Sequence, residues 1–144
     1  MRTAHRLAIA ALAAAALAGV AGCGSASSPT APAASAPATT TDTFSGSVAQ
    51  LGSENHVFAV AANGTVTLSL TTVAPLSTMS LGVAVTTSDG TNCVTQISQN
   101  TDARAGAIAL TGAAAIGNYC VRIFDSGNVP LDTTVLYTIT VVHP

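Results

Sequence analysis

The stretch Gly64–Leu70 reads GTVTLSL, with Val66, Leu68 and Leu70 alternating with Thr65, Thr67 and Ser69. A period of two puts the aliphatic set on one face of an extended strand and the hydroxyls on the other. Asn63-Gly64, just before it, is a tight-turn signal. The alternation recurs at Leu81, Val83 and Val85, which lead into the Asp89-Gly90 turn. It recurs again at Tyr119, Val121 and Ile123, and at Val135, Tyr137, Ile139 and Val141. Weaker strands are expected near Phe44–Val48, Val57–Val60, Asn92–Gln96 and Ala107–Leu110. These runs are too short and too rich in β-branched residues for helices. About eight strands in about 100 residues predict an all-β fold, an antiparallel, jelly-roll-like β-sandwich over 44–144. Thr111–Ile116 is the least regular stretch and is compatible with a short helical turn.

Composition agrees. Charged residues make up 7% of the chain, against roughly 25% in ordinary soluble domains. There is no lysine, and the four basic residues are Arg2, Arg6, Arg104 and Arg122. The polar surface must come from Thr, Ser, Asn and Gln. That fits a secreted β protein better than a cytosolic helical one.

The first six residues carry two arginines and a histidine, and Leu7–Val20 is an uncharged apolar run of 14 residues. This is the pattern of a secretory signal peptide, read over 1–22. The run is short of the roughly 20 apolar residues a permanent span needs. Val20-Ala21-Gly22-Cys23 resembles the lipobox of bacterial lipoproteins. The resemblance implies lipidation of Cys23, cleavage before it, and anchoring to a bacterial membrane at the cell envelope. Cysteine number agrees: of Cys23, Cys93 and Cys120, lipidation of the first leaves Cys93 and Cys120 as an even pair, expected to form a disulfide in an oxidising compartment. Residues 23–43 then form the lipidated cysteine and a disordered Ser/Thr/Ala/Pro tether, which has no large apolar residue to bury. Such a chain spans about 25 Å on average and about 60 Å when extended.

From Phe44 onward a second resemblance appears. Its residues are Phe44-Ser45-Gly46-Ser47-Val48, Phe58-Ala59-Val60, Asp89-Gly90, Gly117-Asn118-Tyr119-Cys120-Val121-Arg122-Ile123 and Tyr137-Thr138-Ile139-Thr140-Val141. Together they resemble the bacterial pre-peptidase C-terminal domain over nearly all of Phe44–Val142. That family implies a β-sandwich appended to secreted peptidases, with calcium and collagen binding in related collagenase modules. Asn55-His56 stands where the family often carries an acid, which argues against calcium here.

The chemistry-bearing residues are few. Of the histidines after Cys23, His56 has no evident nucleophile beside it in sequence, and His143 lies where chain ends usually fray. There is no G-x-S-x-G elbow. Asp125-Ser126-Gly127-Asn128 reads as a turn. The acids Asp42, Glu54, Asp89, Asp102, Asp125 and Asp132 are scattered, whereas calcium needs several oxygens together. Glu54 and His56 can meet on one strand face, but two ligands do not make a zinc site. Six acids against Arg104 and Arg122 give the chain beyond Cys23 a charge of −4, so no basic footprint for nucleic acid exists. Phe44, Phe58, Tyr119 and Tyr137 fall at core positions. Phe124 points the other way, as an exposed contact.

These observations predict a monomeric, membrane-anchored lipoprotein with no cofactor, metal or catalytic residue. Its sandwich binds an envelope protein or glycan through loops at one end or through a sheet face. The alternative is an accessory module for an exported peptidase or other secreted protein.

Overall fold

The computed structural model describes Ser35 and residues 37–144; the segment expected to be a signal peptide, Cys23 and most of the expected tether lie outside them. Eight strands follow in order: β1 (Thr40–Ala49), β2 (Ser53–Val60), β3 (Gly64–Ala74), β4 (Ser80–Ser88), β5 (Cys93–Arg104), β6 (Ala107–Ala114), β7 (Gly117–Phe124) and β8 (Thr134–His143). Antiparallel pairs join β1 to β8, β2 to β7, β3 to β6 and β4 to β5. The chain is thus one long hairpin, folded over on itself. Further pairing of β3 with β8 and of β4 with β7 completes two four-stranded sheets, β1-β8-β3-β6 and β2-β7-β4-β5. This is the eight-stranded jelly roll.

The alternation in the sequence is what lets these sheets face each other. Leu68, Leu70, Ile139 and Val141 of one sheet and Leu81, Val83, Val121 and Ile123 of the other are buried between them. Truncating one such side chain, as in Leu70→Ala, costs about 2–5 kcal/mol. Most outward residues of the first sheet are hydroxyls, with the exposed Leu136 and Ile108 among them. Ser45 and Thr138 lie within 3.1 Å across β1 and β8, and Thr67 and Thr111 within 3.3 Å across β3 and β6. Neutral hydrogen-bonding groups therefore do the work that charges do on most surfaces.

Three expectations are corrected. β1 begins at Thr40, inside the segment expected to be a disordered tether, because Thr40–Thr43 pair with Thr140–His143. Thr111–Ala114 continues β6 rather than making a helical turn, since Thr111 pairs with Thr67 and Ala113 with Thr65. His143 does not fray: β8 is an inner strand between β1 and β3, and the imidazole is buried.

The strand ends sort the connections into two poles. Thr40, where the expected tether would join, shares one pole with 61–63, 89–92 and 115–116. The other pole carries 50–52, 75–79, 105–106 and 125–133.

Candidate functional site

Asp125, at the end of β7, organises the pole opposite Thr40. Its Oδ1 accepts from the amides of Gly127 at 2.8 Å, Asn128 at 2.9 Å and Val129 at 3.0 Å. Its Oδ2 accepts from the amide of Leu51 at 2.9 Å. Partial burial works against the charge, but the four amide donors outweigh it and hold the carboxyl below the usual range. The Asp125–Asn128 segment is therefore the turn expected from the sequence. It also ties the β7–β8 loop to the corner that carries β1 into β2.

That corner holds Leu51 at φ 56°, a conformation that costs a leucine about 1–2 kcal/mol. Its side chain is 89% exposed. In the neighbouring loops Leu131 is 71% exposed and Leu76 is 54% exposed, and Asp132, next to Leu131, is again at φ 56°. Leu76, Met79, Arg104, Asn128 and Pro130 line a basin of about 350 Å³ at this pole. Asn128 Nδ2 donates to Ser80 Oγ at 3.0 Å, and Arg104 donates to Thr78 O at 3.3 Å. The result is a crown of loops braced by polar contacts, with aliphatic tips. It holds no aromatic ring on which a sugar could stack. Nothing local in the sequence marks it, because the three leucines come from three separate loops.

The residues weighed for chemistry lie elsewhere and are engaged with each other. Glu54 and His56, on the inward face of β2, both reach Tyr137 of β8. The Tyr137 hydroxyl donates to Glu54 Oε2 at 3.0 Å. Its one proton so committed, it accepts from His56 Nε2 at 2.7 Å. The amide of Ser47 donates to the same carboxylate oxygen at 2.8 Å, and Phe44 stacks on His56 at 4.8 Å. Burial, with the Glu54 contact, raises the Tyr137 hydroxyl far above its ordinary range. Burial lowers His56, against the pull of Glu54. The cluster joins β1, β2 and β8 across the open side of the sandwich.

His143 Nε2 lies 3.0 Å from Asp42 Oδ2, joining β8 to β1. Asp89 caps its own turn by accepting from the amides of Thr91 and Asn92. Asp102 pairs with Arg104 at 2.9 Å. Among the described residues no three His, Cys, Asp or Glu side chains come together as a metal cluster.

Cys93 and Cys120 form the expected disulfide, which ties β5 to β7 and is compatible with export. Cys23, the expected lipidation site, lies outside the described residues. Phe124 does face away from Tyr119. It lies over Gly82 on the outer face of its sheet, with the Arg122 guanidinium 5.8 Å from its ring centre. No family model and no curated protein matches the chain.

Proposed function

We propose that this chain is a lipid-anchored bacterial envelope lipoprotein whose sandwich is a non-catalytic binding module. Cys23 carries the anchor, and the crown at 50–52, 75–79 and 125–133 makes the contact. The observation that carries this reading is Leu51. It is a strained, exposed leucine, held in place by Asp125 from a distant loop. Backbone strain maintained at an exposed position is a mark of a functional contact. The described strands begin at Thr40, at the opposite pole, so attachment through an anchor at Cys23 leaves the crown free for contact. Aliphatic tips without an aromatic platform favour an envelope protein over a glycan. His56 and His143, both in strand-joining contacts, support a non-catalytic role.

The test is retention of the purified chain on immobilised envelope proteins and on peptidoglycan, with Leu51→Ser and Leu131→Ser as controls. Binding that both substitutions abolish is expected. Binding indifferent to them contradicts the crown. Turnover of peptidase, esterase or glycosidase substrates that vanishes in His56→Ala contradicts the non-catalytic reading.

A further inference from the structure

The β5–β6 side of the sandwich is closed only part way. Asn100 Nδ2 of β5 donates to Ala109 O of β6 at 2.9 Å. Beyond that stitch, toward the tether pole, lies an apolar slot of about 60 Å³ whose walls include Phe58, Val85, Ile97, Leu110, Gly112 and Tyr119. The slot exists because of Gly112. It pairs with Val66, a buried core residue, so position 112 faces inward. A Cβ built there meets nothing within 4 Å. Its backbone has no left-handed φ that would call for glycine. A glycine inside a strand marks a bulge, a tight bend or a place where a ligand or another backbone approaches closely. Gly112 pairs in register with Val66, away from the bulge at Ala109, which leaves close approach.

Size and charge narrow that group. At about 10–15 Å³ for each water-sized sphere, the slot holds about four to six heavy atoms. A leucine or isoleucine side chain, with four heavy atoms, fits; a whole benzyl side chain, with seven, or a hexose or acyl chain exceeds it. β6 ends its sheet and has no strand on its outer side. β6 bulges at Ala109, where its register against β3 shifts, but on the Gly112 side of that bulge it carries no lysine, proline or inward charge, the other features that block strand addition. Neither Val94–Thr101 nor Ala107–Ile116, the segments bordering the slot, contains a charged residue. A neutral border suits an uncharged partner. Eight residues of β6 make an edge about 27 Å long and about 10 Å deep, about 540 Å² over both partners. That is below the roughly 1,200 Å² of a stable interface, so a second copy pairing through this edge alone makes no stable dimer, and an added strand is a weak, transient partner that depends on its side chain in the slot.

We propose that the slot binds one aliphatic side chain of an extended, uncharged segment of another protein, which adds as a strand beside β6 with that side chain opposite Gly112. Strand addition with side-chain pockets is an established way to recognise extended peptides. This inference rests on the reading of the chain as a binding module, but it uses a surface separate from the crown.

The experiment titrates the full chain, labelled with ¹⁵N and carrying Cys23→Ser, with the capped peptide acetyl-Thr-Ser-Thr-Leu-Thr-Ser-Thr-amide. Saturable amide shifts at Ile108–Ala114 and Tyr119 are expected. Replacing the peptide leucine with alanine weakens binding about tenfold or more. Gly112→Val fills the slot from within and abolishes the shifts. Gly112→Ala, whose methyl the slot accommodates, keeps the fold and weakens binding several-fold. Absence of saturable shifts overturns the proposal, as does binding that ignores both the peptide leucine and Gly112. Shifts at the same residues that grow with protein concentration alone assign the edge to a second copy and also overturn it. Leu51→Ser leaves this binding intact if the proposal holds, so failure of the crown and failure of the slot are separable.

Discussion

Leu51 and Asp125 lie 74 positions apart in sequence and are joined by a single hydrogen bond of 2.9 Å from amide to carboxylate. The bond couples the corner between β1 and β2 to the loop between β7 and β8. It fixes an exposed leucine at the rim of the crown. The same carboxylate holds three amides of its own loop, so one side chain sets the shape of two loops.

Asp125→Asn should therefore destabilise the fold by about 1–2 kcal/mol, the scale of losing a charged cap near solvent. The folded carboxyl titrates below its ordinary range. Its contribution is thus present above the unfolded value of about 3.9. It is lost as the pH falls through the folded value. Denaturation midpoints of both proteins measured from pH 7 to pH 2 should converge at the acid end. A difference that persists undiminished at pH 2 contradicts the assignment.

Gly46 allows Glu54 and Tyr137 to meet. A Cβ at position 46 would occupy the space of the Glu54 carboxylate and the Tyr137 hydroxyl. Gly46→Ala should cost about 1–3 kcal/mol through overpacking and disturb the contact of His56 with Tyr137. Chemical denaturation measures the first effect, and the imidazole NMR shifts of His56 report the second. A stability equal to that of the parent would contradict the packing.

What was legible in the sequence was what is local. The alternation of Val66, Leu68 and Leu70 with threonines and serine fixes which side is buried, whatever the neighbours. Asp125 announces its turn because an aspartate followed by Gly127 and Asn128 has few other uses. The meeting of Glu54, His56 and Tyr137 was half legible. The spacing puts the first two on one face of β2, but only the topology brings β8 opposite. Burial of His143 was hidden for the same reason, since a terminal residue gives no sign that its strand is an inner one. Thr40–Thr43 read as tether because threonine and aspartate carry little hydrophobic signal. Their strand is imposed by the partner, β8. The crown and the slot depend on residues from several separate segments, and no periodicity records them.

The disulfide closes a loop between residues 27 positions apart. On the chain-entropy account it stabilises the fold by about 3–4 kcal/mol. Reduction should lower the denaturation midpoint accordingly and raise the intact mass by about two daltons, one hydrogen per sulfur. An unchanged mass under reducing, unfolding conditions would contradict the bond.

Cys23→Ser should leave the precursor unprocessed or release the protein from the membrane fraction. Parent protein should partition into detergent, since two acyl chains give stable anchoring where one does not. Parent protein recovered intact from Met1, or free in the medium, contradicts the anchor.

Site-specific photo-crosslinking in living cells tests the central claim most directly. A benzophenone side chain is placed at Leu51 or Leu131 of the crown, or at Ala61 at the opposite pole, away from the slot beside β6; all three positions are exposed. Discrete adducts with an envelope component are expected from the two crown positions, lost when Asp125→Asn is added to the Leu51 probe, and none from Ala61. Adducts from Ala61 alone, or none from either crown position, would contradict the crown as the contact surface.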